Sequence, residues 1–584
     1  MPENSNRLVP TPANSDLPTY TILLDGEAIS STYQVMVITV SKALNRISEA
    51  EVIFLDGDVS AETFPLSDKP DFVPGAALEI KAGYHQQEET IFKGTIIKHA
   101  IKVIQNDTPV LVITLKHNCF KLALSRNSRL FPDSKDSDAI STILDEYSQK
   151  KEVEDTTVTH EHLLQYNATD WDFVVMRAEM NGLAVINENE KLTIKKPDVS
   201  GDAKLELYYG TSMLEFEAEL DARSSFKEWK AKTWSAADQA SQEEDGSSSL
   251  AEPGNFSSTD AATAVGDPQL KISLPNQLET AEIKAVADAK AARTKLSKIK
   301  GRAKCIGFAA IQPGDIIGLH GVGERFNGKA YVSGVRHFIT HGKWETDIQF
   351  GMSFATHAER FTDIADKPAG GLLPSVNGLQ IGIVAQLQDD PKGEDRILLK
   401  IPGLSEADEA VWARIACLDA GKERGSFFRP EIGDEVVVGF LNDDPRNAIV
   451  LGMMNSSKLP APLPGSDDNH QKGFVTREKM KLIFDDEKKS ITIETPAGNT
   501  IIISDDEKGI TLKDENGNKM QMNTDGIIME SAKDVQIKAT GDIKIEGINV
   551  EIKASANLKG EGSAGAAFKS SAITEIKGSL VNIN

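Results

Sequence analysis

Cysteine is scarce: three residues in 584, Cys119, Cys305 and Cys417, far apart and without CxxC or Cys–His spacing. A disulfide framework and a structural zinc are excluded on that spacing, and the thiols read as small buried hydrophobes of a chain folded in a reducing compartment. No apolar run approaches the roughly 20 residues that cross a bilayer, and the opening MPENSNRLVPTPANSDLP lacks a basic segment followed by an apolar one. The expectation is synthesis in the cytoplasm without a signal peptide, with any export left to other proteins. Positive charge is also short: Lys and Arg number 64 against 88 Asp and Glu, a net charge of -24. Nucleic acid and anionic membranes would repel such a surface, so no nucleic-acid partner is expected. GxSxG, HExxH and phosphate-loop patterns are missing too.

What is present is mostly β. From Thr19 to about Lys116, short runs such as TYTILLDG, QVMVITVS and PVLVITLKH are punctuated by Asp-Gly, Gly and Pro. DSDAISTILDEYSQK predicts a helix capped by Asp136 or Ser137, and NATDWDFVVMRAEMNG a second, capped at Thr169 or Asp170 and stopped at Gly182. Within 235–300, SQEEDGSSSLAEPGNFSSTDAATAVGDP predicts a long solvated loop, followed by an Ala/Lys-rich helix. KPAGGLLPS (367–375) falls in a linker. Residues 379–457 form a compact unit of short strands, sized for an OB-type barrel.

The last stretch differs in kind. No Trp follows Trp412, no Tyr follows Tyr331, and Pro496 is the only proline beyond Pro464. Alternating fragments recur: SITIE, TIIIS, GITLK, GIIME, VQIKA, IKIE, INVEIK, with Ile491, Ile501, Ile510, Ile527, Ile543 and Leu558 as apolar markers. A strand of about five residues cannot bury its apolar face alone. The spacing is also too short for one chain to wrap around its own interior. Three copies, each giving one side of a triangular prism, would close it, with interchain strands along its length.

The order of parts brings a resemblance into view. WARIACLDAGKERGSFFRPEIGDEVVVGFLNDDPRNAIVLGMMNSS (412–457) resembles the OB domain of VgrG-like spike proteins of contractile injection systems, the hub-spike family of type VI secretion and phage tails. The matching residues include Trp412, Gly433, Asp434, Asp444 and Pro445. LLQYNATDWDFVVMRAEMNGLAVI and FNGKAYVSGVRHFITHGKWETDIQFGM resemble that family's hub. The resemblance implies a mainly β chain with some α. Its parts would be a flexible N-terminus (1–18), hub-like domains (19–366), a linker (367–378), an OB barrel (379–457), a second linker (458–472) and a triple-stranded β-helical needle (473–584) in a homotrimer.

It further implies seating on the inner tube and baseplate, a PAAR-type tip protein contacting Leu580, Val581 and Ile583, effector cargo, and only transient contact with a target membrane. The particle as a whole would be exported or released. Some relatives carry a lysozyme before the needle; the stretch between Met454 and Gly473 is too short for one, so no enzyme and no cofactor are expected. A carbohydrate-binding or -degrading tail spike is the alternative, though its needle would want aromatic stripes. A monomeric adhesin would want a longer repeat.

Other polar groups carry less. His160-Glu161-His162 puts two imidazoles on one strand face, more simply part of an exposed strand than a metal site. Gly433-Asp434 reads as a turn into a strand and Trp412 as barrel core. The paired acids at 389–390, 443–444, 485–486 and 505–506 all sit in turn-like contexts.

Overall fold

The computed structural model describes residues 17–583 apart from 106–107, 276–277 and 404–408. The expected flexible terminus therefore lies almost wholly outside the described residues. The chain divides into two compact units: Met1–Gly378 with Phe440–Ala448, and Leu379–Gly439 with Ile449–Asn584.

The first unit is built on a 13-stranded sheet. Strict alternation makes its strands: Val35–Ala43 sends Ile38, Val40 and Lys42 to the buried side. Glu49–Leu55 answers with Ala50, Val52 and Phe54, and Val110–Lys116 with Leu111, Ile113 and Leu115. Phe72 and Phe92 complete this core. The C-terminal half of the unit closes onto the same sheet, because Gly328–Thr340 pairs antiparallel with Val35–Ala43, from Gly334 opposite Ala43 to Thr340 opposite Val37. A second core gathers Ile140, Ile143 and Leu144 of the helix Asp136–Glu146 against Trp171, Val174 and Ala178 of the helix Asp170–Met180.

Local signals decide most boundaries. Thr169 caps the second helix by accepting the amide of Asp172 at 3.1 Å, and Gly182 takes φ 72° just past its end. The first helix corrects its expected cap. Lys135 is the capping residue and makes no side-chain bond there, while Asp136 sits inside the first turn. Asp136 is committed elsewhere, since Arg177 holds its buried carboxylate at 2.5 Å. The solvated loop is also corrected. Ala240–Asp245 pairs with Glu228–Ser235, which pairs in turn with Gln269–Ser273, and Ser258–Ala264 is a short helix with a capping box. The low apolar content reflects a small sheet with one buried face, covered by Ile283 and Ala287 of the helix Thr280–Ser297.

One core position breaks the apolar pattern. Lys42 is 3% exposed and donates to Asn189 Oδ1 at 2.8 Å and Gln312 Oε1 at 3.0 Å. Burial pulls its amine down to about 7, with the charge of Glu188 opposing the fall. His117 and His337 are buried as well. Desolvation, with the Lys42 charge adding to it, lowers His117 to about 4 and His337 to about 3.

In the second unit, Gln380–Gln386, Ile397–Lys400, Val411–Ile415, Ala448–Met453 and Glu435–Phe440 close into a five-stranded barrel. After it comes a seven-stranded antiparallel sheet running from Gln471–Val475 to Gly526–Glu530.

Candidate functional site: an open sheet face and the tail beyond it

The repeat builds a meander within one chain, each strand pairing with the next from residue 471 to 530. This corrects the expectation that these strands pair between chains. The linking segments are long enough for tight turns, and the turn residues supply the backbone they need. Gly498, Gly517 and Gly526 lie at φ 92°, 92° and 117°, and Lys489 and Lys508 also have positive φ. Asp514 fixes one turn by accepting the amides of Asn516 at 2.9 Å and Asn518 at 2.7 Å. The Asn518 side chain, donating to the same carboxylate, holds it below the usual range.

The register lines the apolar residues up in two columns on one face. One descends Phe474, Leu482, Ile493, Ile501, Leu512, Met520, Met529; the other Phe484, Ile491, Ile503, Ile510, Met522, Ile527. Of the expected core residues, Ile491, Ile501, Ile510 and Ile527 thus share a face. The opposite face carries Thr492, Thr511, Gln521 and flanking charges, but also Ile483, Ile502 and Ile528, so it is less uniformly polar than the repeat suggests. Much of the apolar columns is left open by the described residues: Phe474 is 47% exposed, Ile493 46%, Ile501 41% and Ile527 66%. A cavity of about 660 Å³ lies over them, lined by Ile493, Ile501, Leu512, Met520, Met529 and Val535.

After Glu530 the chain leaves its own sheet. Asn518 Oδ1 takes the Ser531 hydroxyl at 2.7 Å and the Ala532 amide at 3.2 Å, which pins the exit. From Ala532 to Ile583 every residue is exposed and none belongs to a strand of this chain. Two-residue alternation nevertheless persists: Val550 and Ile552 alternate with Glu551 and Lys553, which pair at 2.5 Å. Ile543 and Leu558 are 52% and 70% exposed, and Leu580, Val581 and Ile583 are likewise uncovered. An apolar-alternating segment whose backbone joins no strand of its own chain leaves its main-chain polar groups without a ladder.

The barrel residues take structural posts. Gly433, at φ 93°, donates its amide to Val384 O at 2.8 Å, and Asp434 accepts the Glu431 amide at 2.9 Å. Asp444, beside Pro445, is buried and pairs with Arg446 at 2.6 Å, which depresses its carboxyl. Trp412 is not barrel core. It pairs across from Leu398 on the outer side, while its neighbour Ala413, opposite Ile397, points in. Cys417 is exposed, unlike Cys119 and Cys305, so only two of the three thiols are core residues. His160 meets Asp136 at 3.1 Å and Arg177 at 3.1 Å, whereas His162 stays exposed beside Glu161. Among the described residues no group of three or more His, Cys, Asp or Glu is placed to hold a metal. The buried Lys42–His117–His337 neighbourhood escaped sequence reasoning; its only trace was a lysine in phase with Ile38 and Val40.

Comparison with known proteins places three segments. Residues 14–341 match the family of the Alg8 N-terminal domain. Residues 380–454 match the type VI secretion system/phage-baseplate injector OB domain, and 490–584 the phage baseplate V C-terminal trimerisation domain. The chain is 30% identical over 116 residues to the type VI secretion system spike protein VgrG1b of Pseudomonas aeruginosa, covering 18% of this chain and 15% of that protein. It is 30% identical over 135 residues to the spike protein VgrG3 of Vibrio cholerae, covering 20% and 13%. These matches therefore span only a small part of the curated relatives. The 43 kDa tail protein of prophage MuSo2 from Shewanella oneidensis aligns with 58% of this chain and 99% of its own, at 11% identity and a TM-score of 0.44.

Proposed function

The chain belongs to the Alg8 N-terminal domain family through residues 14–341 and joins to it the OB and trimerisation domains of VgrG-type and phage-baseplate spikes; on that premise we propose that it is the homotrimeric central spike of a contractile injection machine. The observation that carries the proposal is the uncovered apolar face of residues 471–530, followed by a tail that keeps strand alternation without a ladder. Both deficits are met by two more copies of the same chain. Three sheets would enclose the apolar columns, and three tails would supply one another's strands.

The function is mechanical and needs no catalytic group. The first unit seats on the inner tube and baseplate. Sheath contraction drives tube and spike forward, and the needle concentrates that force on a small area of the target envelope, opening the way for effectors. Strands stacked about 4.8 Å apart, hydrogen-bonded along the push direction, resist buckling. A PAAR-type protein caps the ends at Leu580, Val581 and Ile583, and the assembled particle carries the chain out of the cytoplasm. Light scattering coupled to gel filtration tests the core of this reading. The expected mass is three times 63.4 kDa, about 190 kDa, and a stable monomer refutes it.

A further inference from the structure

Residues 416–432 leave the barrel strand Val411–Ile415 and return before Glu435 through a two-rung hairpin, Ala420–Gly421 against Arg424–Gly425. The segment is unusually apolar for a surface loop: Leu418 is 94% exposed, Phe427 81%, Ile432 65% and Phe428 58%. One side of it is fastened to the needle sheet. The Phe428 ring stacks on Phe474, centroids 5.0 Å apart and planes 12° from parallel, and Glu431 accepts Arg477 at 2.8 Å.

That fastening fixes where the free side lies. Phe474 heads the column that runs through Leu482, Ile493 and Ile501, so the loop's aromatic patch is continuous with the open apolar face. Two of the loop's three cationic side chains are already engaged. Arg424 is paired to Asp419 at 2.8 Å and Arg429 to Asp395 at 2.5 Å. What remains to be satisfied is apolar area, and the surface that must approach this end of the sheet is the next copy of the chain.

We infer that this loop is an interchain clamp, with Leu418 and Phe427 seating on the neighbouring copy at the barrel end of the needle and Phe428 on Phe474 as their floor. The inference rests on the trimeric reading above and adds to it a contact outside the segment that matches the trimerisation domain. Large apolar side chains seated in well-packed, desolvated pockets contribute strongly to an interface.

Site-specific photocrosslinking in the full-length chain tests it. Phe427→p-benzoylphenylalanine keeps an aromatic side chain at the position, and the native mass is measured on the same sample before irradiation. The expected result is a trimeric mass and, on a denaturing gel, a covalent two-chain band near twice 63.4 kDa, about 127 kDa. The same probe at Lys392, an exposed residue of the barrel, should leave the single-chain band alone. A trimeric mass with no two-chain band from position 427, or with an equal band from 392, overturns the clamp and leaves the trimer standing. A monomeric mass overturns both.

Discussion

Ile501→Ala is the perturbation that interrogates the open face most directly. Ile501 sits in the middle of an apolar column, between Ile493 and Leu512, and 41% of the residue is uncovered in the isolated chain. The substitution removes three carbon groups, each worth about 0.8 kcal/mol when fully buried. Only the uncovered share is gained on assembly, so each copy forfeits about 1 kcal/mol and three copies about 3 kcal/mol, before any cavity term. At about 1.4 kcal/mol per decade, the three-body dissociation constant rises roughly 100-fold. Because that constant scales as concentration squared, the dilution midpoint moves up about tenfold. Mass photometry over a dilution series reads that midpoint. Thr511→Ala, on the opposite face, should leave it unmoved while circular dichroism confirms that both variants fold. An unmoved midpoint for Ile501→Ala, or an equal shift from Thr511→Ala, refutes the enclosure of this face.

Deeper in the tail, Ile543→Asp would bring three carboxylates together in an apolar interior; we expect loss of the trimer by light scattering, and an intact trimer would contradict the shared-strand tail. Asn518→Ala removes the acceptor for Ser531 and Ala532, and should raise amide exchange around residues 531–536 of the assembled protein while leaving the preceding strands protected. Acid sensitivity follows from the buried imidazoles. Folded His117 and His337 stay neutral down to about pH 4 and 3, whereas the unfolded chain takes up those protons below about 6.5. Unfolding is therefore increasingly favoured as pH falls through that window, by roughly 5 kcal/mol in total at pH 4.5. Urea melts of the first unit's signal at pH 7 and 4.5 check it, and coincident curves would refute it. His337→Leu should remove about half of the difference.

Two-residue alternation in strands of fixed register leaves one assignment of faces, so Ile491, Ile501, Ile510 and Ile527 fall on one face of the sheet as the sequence implies. Sequence patterning misjudged who pairs with whom, since alternation says which side of a strand is apolar and nothing about which strand lies alongside. Trp412 was misplaced for the same reason. Its partner Leu398 is also apolar, and only the register through Ala413 and Ile397 tells the inner side from the outer. The strands at 228–273 were illegible because a small sheet with one covered face needs few large hydrophobes, and its helix meets it with Ala287 beside a single Ile283. Asp136 resembled a helix cap by position, while its partner Arg177 comes from a second helix that local sequence cannot bring near. The OB-loop aromatics carried no periodic signal at all.

If the chain is the proposed trimeric spike, the change of construction at Glu530 gives its assembly a direction. The strands from 471 to 530 form their hydrogen-bonded ladder within one chain, so each subunit can present a finished plate. On the proposed trimeric reading, the tail after Glu530 acquires its ladder only by trading strands with companions, and closes like a braid tightened from a knot. The barrel end is thus made first and the point last. Unmaking the point calls for three interlocked chains to let go together, which favours persistence through slow unravelling over strength in any single contact.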